Sequence, residues 1–147
     1  MNWLRPLLSG WMSYKLKKGI PSVTDYIEIR LKAGLSEKSE EAASLGLPNS
    51  IFSVMVYSEN QPVGIGRIIG DGGCFFEITD MAVLPEHQRQ GVGRMIMSAL
   101  LDFLRENAPK TAYVSLMADH GTPNFYAKFG FMFSEMPKSS GMYIRVL

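Results

Sequence analysis

The spacing of apolar residues changes abruptly at Gly91, and that change constrains the chain more than any other feature. Upstream, Cys74 to Leu84 reads as one long strand with large side chains on both faces, which suits a central place in a sheet, and Pro85 ends it. Downstream, Val92, Ile96, Leu100, Phe103 and Leu104 recur every three or four residues, with Arg94, Asp102 and Arg105 elsewhere on the wheel. That pattern predicts an amphipathic helix ending near Asn107 and Pro109. Between them lies a tight turn carrying Gly91 and Gly93. A strand that feeds such a turn and then a helix start makes an anion site. Amides of the loop and first helical turn lack intrahelical acceptors, converge on one point and add the positive end of the helix dipole. Glycine lets the backbone approach an oxyanion without a Cβ in the way, and Arg89 and Arg94 can add charge. Two familiar phosphate loops fail here: there is no Gly-Lys-Ser/Thr ending, and no Gly-x-Gly-x-x-Gly after a short parallel strand.

The rest of the chain supplies a setting for this junction. Tyr14 to Lys17 is a short candidate strand, and Ser22 and Thr24 offer caps for a helix around Asp25 to Lys32 that Gly34 stops. Ser36, followed by Glu37, opens a second predicted helix that ends near Gly46 and Pro48. Ile51 to Tyr57 and Val63 to Ile69 form a hairpin across Glu59-Asn60-Gln61. After the long helix come a strand over Ala112 to Met117, a short helix from Thr122 to Phe129, and a last strand from Met142 to Leu147. Hairpins first and a strand–helix–strand–helix–strand half after argue for an α/β or α+β fold, with helices around one sheet.

Composition narrows the function. The 147 residues carry 15 Lys and Arg against 14 Asp and Glu, a formal charge of +1, so the basic surplus that nucleic acid or a membrane surface needs is missing. With 46% hydrophobic residues and 20% charged, the body of the chain can bury a self-sufficient core. One cysteine, Cys74, cannot form an intrachain disulfide, and with only His87 and His120 beside it no zinc spacing appears. No metal is expected, and a reducing, cytoplasmic setting fits best. Met1 to Trp11 is apolar but broken by Pro6 and Gly10, too short for a bilayer span. Residues 1–11 read as a leader or extension without function, and 12–147 as a single domain.

The turn itself carries a resemblance. Gln88-Arg89-Gln90-Gly91-Val92-Gly93 is similar to the Gln/Arg-x-x-Gly-x-Gly/Ala signature of the GNAT superfamily of N-acetyltransferases, and it follows a strand ending Asp80-Met81-Ala82-Val83-Leu84-Pro85 as that motif does. Phe125-Tyr126-Ala127-Lys128-Phe129-Gly130-Phe131 resembles the family's later Tyr-x-Lys-x-Gly-Phe element. The resemblance covers Ile51 to Phe131. It implies a mixed, mostly antiparallel sheet of six to seven strands flanked by helices, splayed between the fourth and fifth strands where acetyl-coenzyme A inserts. It further implies that backbone groups around Met81, Ala82 and Val83 bind the pantetheine arm, and that amides from Arg89 through Gln90, Gly91, Val92 and Gly93 to Arg94 hold the pyrophosphate. Gln88 has two readings, a ligand contact or a hydrogen bond that closes the loop.

Transfer of acetyl from a thioester to an amine needs a group to take the amine's proton, polarisation of the carbonyl and an acid for the departing thiolate. By resemblance, Tyr126 occupies the position of the general acid and Glu77 that of the general base. Asp80 is the second choice, as anchor for a substrate ammonium or part of a water chain. Strict alternation would turn Asp80 away from Glu77, and a bulge would change that facing. The chain departs from the family pattern at Asp119, where Asn is frequent, and at Thr122, where Ala is; Asn124 is a candidate to supply the missing amide to the pantetheine arm. His120 and His87 read as loop residues and Cys74 as a small apolar group. The acceptor is a small-molecule or peptide amine, and a homodimer is compatible with the resemblance. Phe75, Phe76, Tyr143, Met132, Met136 and Met142 are candidates for an apolar acceptor pocket, while Glu37, Glu40 and Glu41 either attract a cationic amine or form a solvated face. The alternative to an enzyme is an acyl-coenzyme A sensor of the same fold, which would need only the loop.

Overall fold

The computed structural model describes residues 14–119, 122–134, 141, 142 and 145. The chain divides into two compact units, which adjoin in sequence at Ser115 and Leu116.

In the first unit, strands β1 (Tyr14–Lys18), β2 (Phe52–Ser58), β3 (Gln61–Gly70) and β4 (Phe75–Val83) pair antiparallel in chain order, and β5 (Tyr113–Leu116), whose last residue begins the second unit, follows β4 in the sheet. Glu59 and Asn60, both at positive φ, make the β2–β3 turn, the backbone that a two-residue hairpin demands. Five strands are thus present among the described residues, against the six to seven expected. The expected last strand, Met142 to Leu147, falls largely outside those residues, as does the leader 1–11. At the beginning of β5 the Tyr113 amide donates to the Cys74 carbonyl at 2.8 Å.

Helices α1 (Val23–Lys32) and α2 (Glu40–Gly46) cover one face of the sheet. Across that face Met55, Ile65 and Ala82 stand side by side in register and join Tyr26, Ile29, Ala43 and Leu47 in one buried cluster. Ser22 caps α1 by accepting from the Asp25 amide. The second helix begins later than the sequence predicts: Ser39, not Ser36, caps it, accepting from the Ala42 amide. Ser36 is engaged instead by Arg30 of α1.

Helix α3 (Val92–Asn107) covers the other face, as the period from Gly91 predicts, and buries Val92, Ile96, Met97, Leu100 and Leu104. Two residues of β3 let it come close. Gly64 and Gly66 face α3, and a Cβ on Gly66 would collide with Ile96, stand 3.0 Å from Met81 Sδ and 3.1 Å from a Leu100 methyl. Phe52 stacks on Phe103, ring centroids 4.4 Å apart, and closes the far end. Phe76 lies opposite Gly70 on this α3 face and is 2% exposed, which removes it from the expected acceptor pocket. In the second unit α4 (Pro123–Ala127) is a short helix closed by Gly130 at positive φ. Met132 and Met142 are exposed there, while Met136 and Tyr143 lie outside the described residues.

Because α3 sits on bare β3 backbone, Gly66→Val should lower the unfolding free energy in urea by about 1–3 kcal/mol, the usual range for overpacking a close contact. An unchanged midpoint and slope would show that α3 yields freely at this point.

Candidate active site

The register between β3 and β4 slips by one residue: Ile65 faces Ala82, but Arg67 faces Thr79, so Asp80 and Met81 together oppose Gly66. This bulge holds Asp80 at φ 58, left-handed backbone that Asp tolerates better than most residues. Its consequence is a facing that strict alternation does not produce. Glu77 and Thr79 pair with Ile69 and Arg67 on the α1–α2 face, and Asp80, through the bulge, turns onto that same face.

There the Asp80 carboxylate is fully engaged. One oxygen accepts from Arg30 Nη1 of α1, the other from Arg67 Nε of β3 at 2.7 Å and from the Tyr26 hydroxyl at 3.0 Å. The Asp80 side chain is only 4% exposed, those of Arg30 and Arg67 7% and 9%. The outer ends of the arginines tie down loops: Arg30 Nη2 donates to the Ser36 carbonyl, and Arg67 Nη1 to Ser50 Oγ. Burial beside Asp80 pushes the Tyr26 phenol above its ordinary range, so it remains a donor at neutral pH. Both oxygens of Asp80 are thus engaged and its side chain is buried, whereas Glu77 on the same stretch of β4 is half-exposed.

At the C-terminal end of β4 the chain enters the glycine turn. Gln88 adopts the loop-closing reading, its side-chain amide donating to the Val83 carbonyl at 3.1 Å. Gln90 reaches back in the same way to the Glu86 carbonyl. Arg89 and Gly91 both take positive φ, and the first intrahelical bond of α3 runs from the Met95 amide to the Gly91 carbonyl. No side chain caps the helix, so the amides of Gly91 to Arg94 have no acceptor among the described residues. Arg89 and Arg94 are exposed beside them. His87, read from sequence as a plain loop residue, is half-buried edge-on against Tyr14 of β1. The Tyr14 hydroxyl donates to Gln90 Oε1 at 2.8 Å and accepts from His87 Nδ1 at 2.8 Å. The turn is therefore pinned to the edge strand.

A protein-family model described as an acetyltransferase (GNAT) domain matches residues 49–132. The chain belongs to the GNAT acetyltransferase family. A solved structure from Staphylococcus aureus, a protein of unknown function described as a probable acetyltransferase, is 43% identical, covers 90% of this chain and 99% of its own, and superimposes with a TM-score of 0.85. An uncharacterised Bacillus subtilis protein is 32% identical over 83 residues, 55% of this chain and 53% of its own. An uncharacterised N-acetyltransferase of Gracilaria tenuistipitata var. liui is 29% identical over 92 residues, 60% of this chain and 50% of its own. The chain spans about half the length of these curated relatives.

Set within the GNAT family, the residues read from sequence fall into two groups. The first unit gathers Glu77, Asp80, Met81, Ala82, Val83 and Gln88 to Arg94 along β4 and its exit. The second carries Asp119, Asn124 and Tyr126 on α4 and the turn before it, where the Asp119 carbonyl accepts from the Thr122 amide and hydroxyl; His120 is outside the described residues. Tyr126 is edge-on to Phe125 and Phe131, and burial, followed by the negative charge of Asp119, pushes its phenol above the ordinary value. Tyr14, Tyr26, Arg30 and Arg67 escaped the sequence reading. Arg67 did leave a signal, a lone cation inside the apolar run Val63 to Ile69. Among the described residues no three His, Cys, Asp or Glu side chains cluster as metal ligands, and no helix is long and apolar enough to cross a membrane.

Removing the Asp80 charge strands two buried guanidinium groups. Asp80→Asn should therefore cost about 3–5 kcal/mol of unfolding free energy, the usual cost of breaking a buried pair from one side. Equilibrium denaturation checks this, and a loss below about 1 kcal/mol would mean the network is not what holds α1 on the sheet.

Proposed function

We propose that this protein transfers an acetyl group from acetyl-coenzyme A to a primary amine by direct attack in a ternary complex. The observation that carries the reading is the uncapped start of α3, where free amides from Gly91 to Arg94 converge beside two exposed arginines. That donor set suits a pyrophosphate, and left-handed Gly91 clears the approach. Acetyl-coenzyme A supplies the thioester, bound along the C-terminal half of β4, where the Met81–Val83 backbone would take the pantetheine arm.

Glu77 takes the proton from the attacking amine, directly or through water. It has no partner among the described residues and stands on the half-exposed face of β4. Tyr126 delivers a proton to the sulfur as the carbon–sulfur bond breaks; its raised pKa keeps the phenol protonated throughout the neutral range. Asp80 holds α1 and β3 in place around this chemistry and does not itself move a proton.

Tyr126→Phe should lower kcat by about 100-fold or more, the common yield of a positioned acid, while leaving coenzyme affinity within about threefold. Because burial and then the Asp119 charge raise the phenol's pKa above its ordinary value, the wild-type rate should show no decline from this group across the neutral range. Thiol release against a panel of amines measures both, and unchanged turnover would remove the acid assignment. Gly91→Val forces a β-branched residue into φ 87 and should weaken coenzyme A binding by about tenfold or more in calorimetry. Unaltered affinity would refute the loop.

A further inference from the structure

Above β3, between α1 and α2, lies a cavity of about 220 Å³. Its volume equals that of roughly seven water molecules at about 30 Å³ each, room for a small polar group. The walls are made by small residues of α2, Ala42, Ala43 and Gly46, and by the ring of Tyr26. Two cations reach it: Arg67 from the sheet and Lys38 from the segment before α2.

Charge in this region does not balance. Arg30 and Arg67 are both buried and share one carboxylate, Asp80, so the cluster keeps one uncompensated positive charge before Lys38 is counted. Lys38 is half-buried and has no ion-pair partner among the described residues, although exposed glutamates precede and follow it. Arg67 spends Nε on Asp80 and Nη1 on Ser50, while Nη2 has no acceptor among the described residues. Arg30 Nε is buried without a partner, a further sign that the cluster is short of acceptors. A guanidinium edge and an ammonium bordering one small cavity form a recognition site for an oxyanion, because charged acceptors are the partners that best repay desolvating such donors.

We infer that this cavity binds the oxyanion of a small acceptor, a carboxylate or a phosphate, and that the substrate is an amine bearing such a group a few bonds away. The amine end of this inference rests on the acetyltransferase reading above; the oxyanion end rests on the cavity alone. Register sets the spacing. Thr79 lies directly across from Arg67, and Glu77 is two residues further along the same face, about 7 Å at the rise of a strand. An acceptor held by its anion at Arg67 therefore brings an amine at its other end toward Glu77 only if the two groups are close, as in an amino acid or an aminoalkyl phosphate.

The test uses the full chain, isotopically labelled and without acetyl-coenzyme A, titrated with two matched pairs. β-Alanine is set against β-alaninamide, and O-phosphoethanolamine against ethanolamine. At least one member bearing the oxyanion should shift the amide resonances of Lys38, Ala42, Gly46 and Arg67, and bind about tenfold tighter than its partner without that group. Whichever pair shows the larger ratio identifies carboxylate or phosphate as the group recognised. Arg67→Met would also strip Asp80 of a donor and threaten the fold, so Lys38→Met on the half-buried rim carries the mutational arm and should raise Kd about fivefold. A preference below about threefold in both pairs, shifts confined to other residues, or an unchanged Kd in Lys38→Met overturns the inference. If the cavity shifts persist but no amine of either pair supports thiol release, the oxyanion site stands and acetyl transfer to these amines falls.

Discussion

One buried carboxylate organises the α1–α2 face of this molecule. Asp80 gathers a guanidinium from α1, another from β3 and a phenol from α1, and the arginines pass the constraint on to Ser36 and Ser50. Desolvating three charges is costly, and such clusters are weak sources of net stability. Their value lies in geometry: helix, strand and two loops must all be in place before any one charge is satisfied. The bulge at Asp80 belongs to the same arrangement, since left-handed backbone is tolerated where surrounding contacts over-determine it. It also keeps Glu77, Thr79 and Asp80 on one face, giving the sheet a polar strip beneath an otherwise apolar helix pair.

The opposite face works by close contact of apolar surface. Bare backbone at Gly64 and Gly66 lets Val92, Ile96 and Leu100 settle against β3, which fixes the height of α3 above the sheet. Its N-terminus then falls at the exit of β4, where Gln88 and Gln90 hold the turn by bonds to backbone carbonyls. The side chains of the motif thus shape the loop, while the backbone amides that open α3 are left without acceptors among the described residues.

Much of this was legible in the residues because it is local. The change of period at Gly91, the hairpin at Glu59 and Asn60, and the cap at Ser22 depend on near neighbours, and each sits where expected. What the sequence hid is tertiary. Ser36 looks like a helix cap but is engaged by Arg30, so α2 starts at Glu40. Alternation along β4 cannot foresee a bulge, and hence could not decide on which face Asp80 lies. Phe76 carries the same aromatic signature as exposed Phe75, and only the pleat separates core from surface. The acid and base assignments of Tyr126 and Glu77 come from motif position, for which composition and period hold no information.

The brace between Tyr14 and the glycine turn links residues 73 and 76 positions apart in the chain. Contacts of such separation close large loops, at a cost in chain entropy that a local bond does not carry. The turn is held to its own strand through Gln88 and to a distant strand through Tyr14. A strand that buries none of its own side chains therefore acts as the latch on the segment that opens α3.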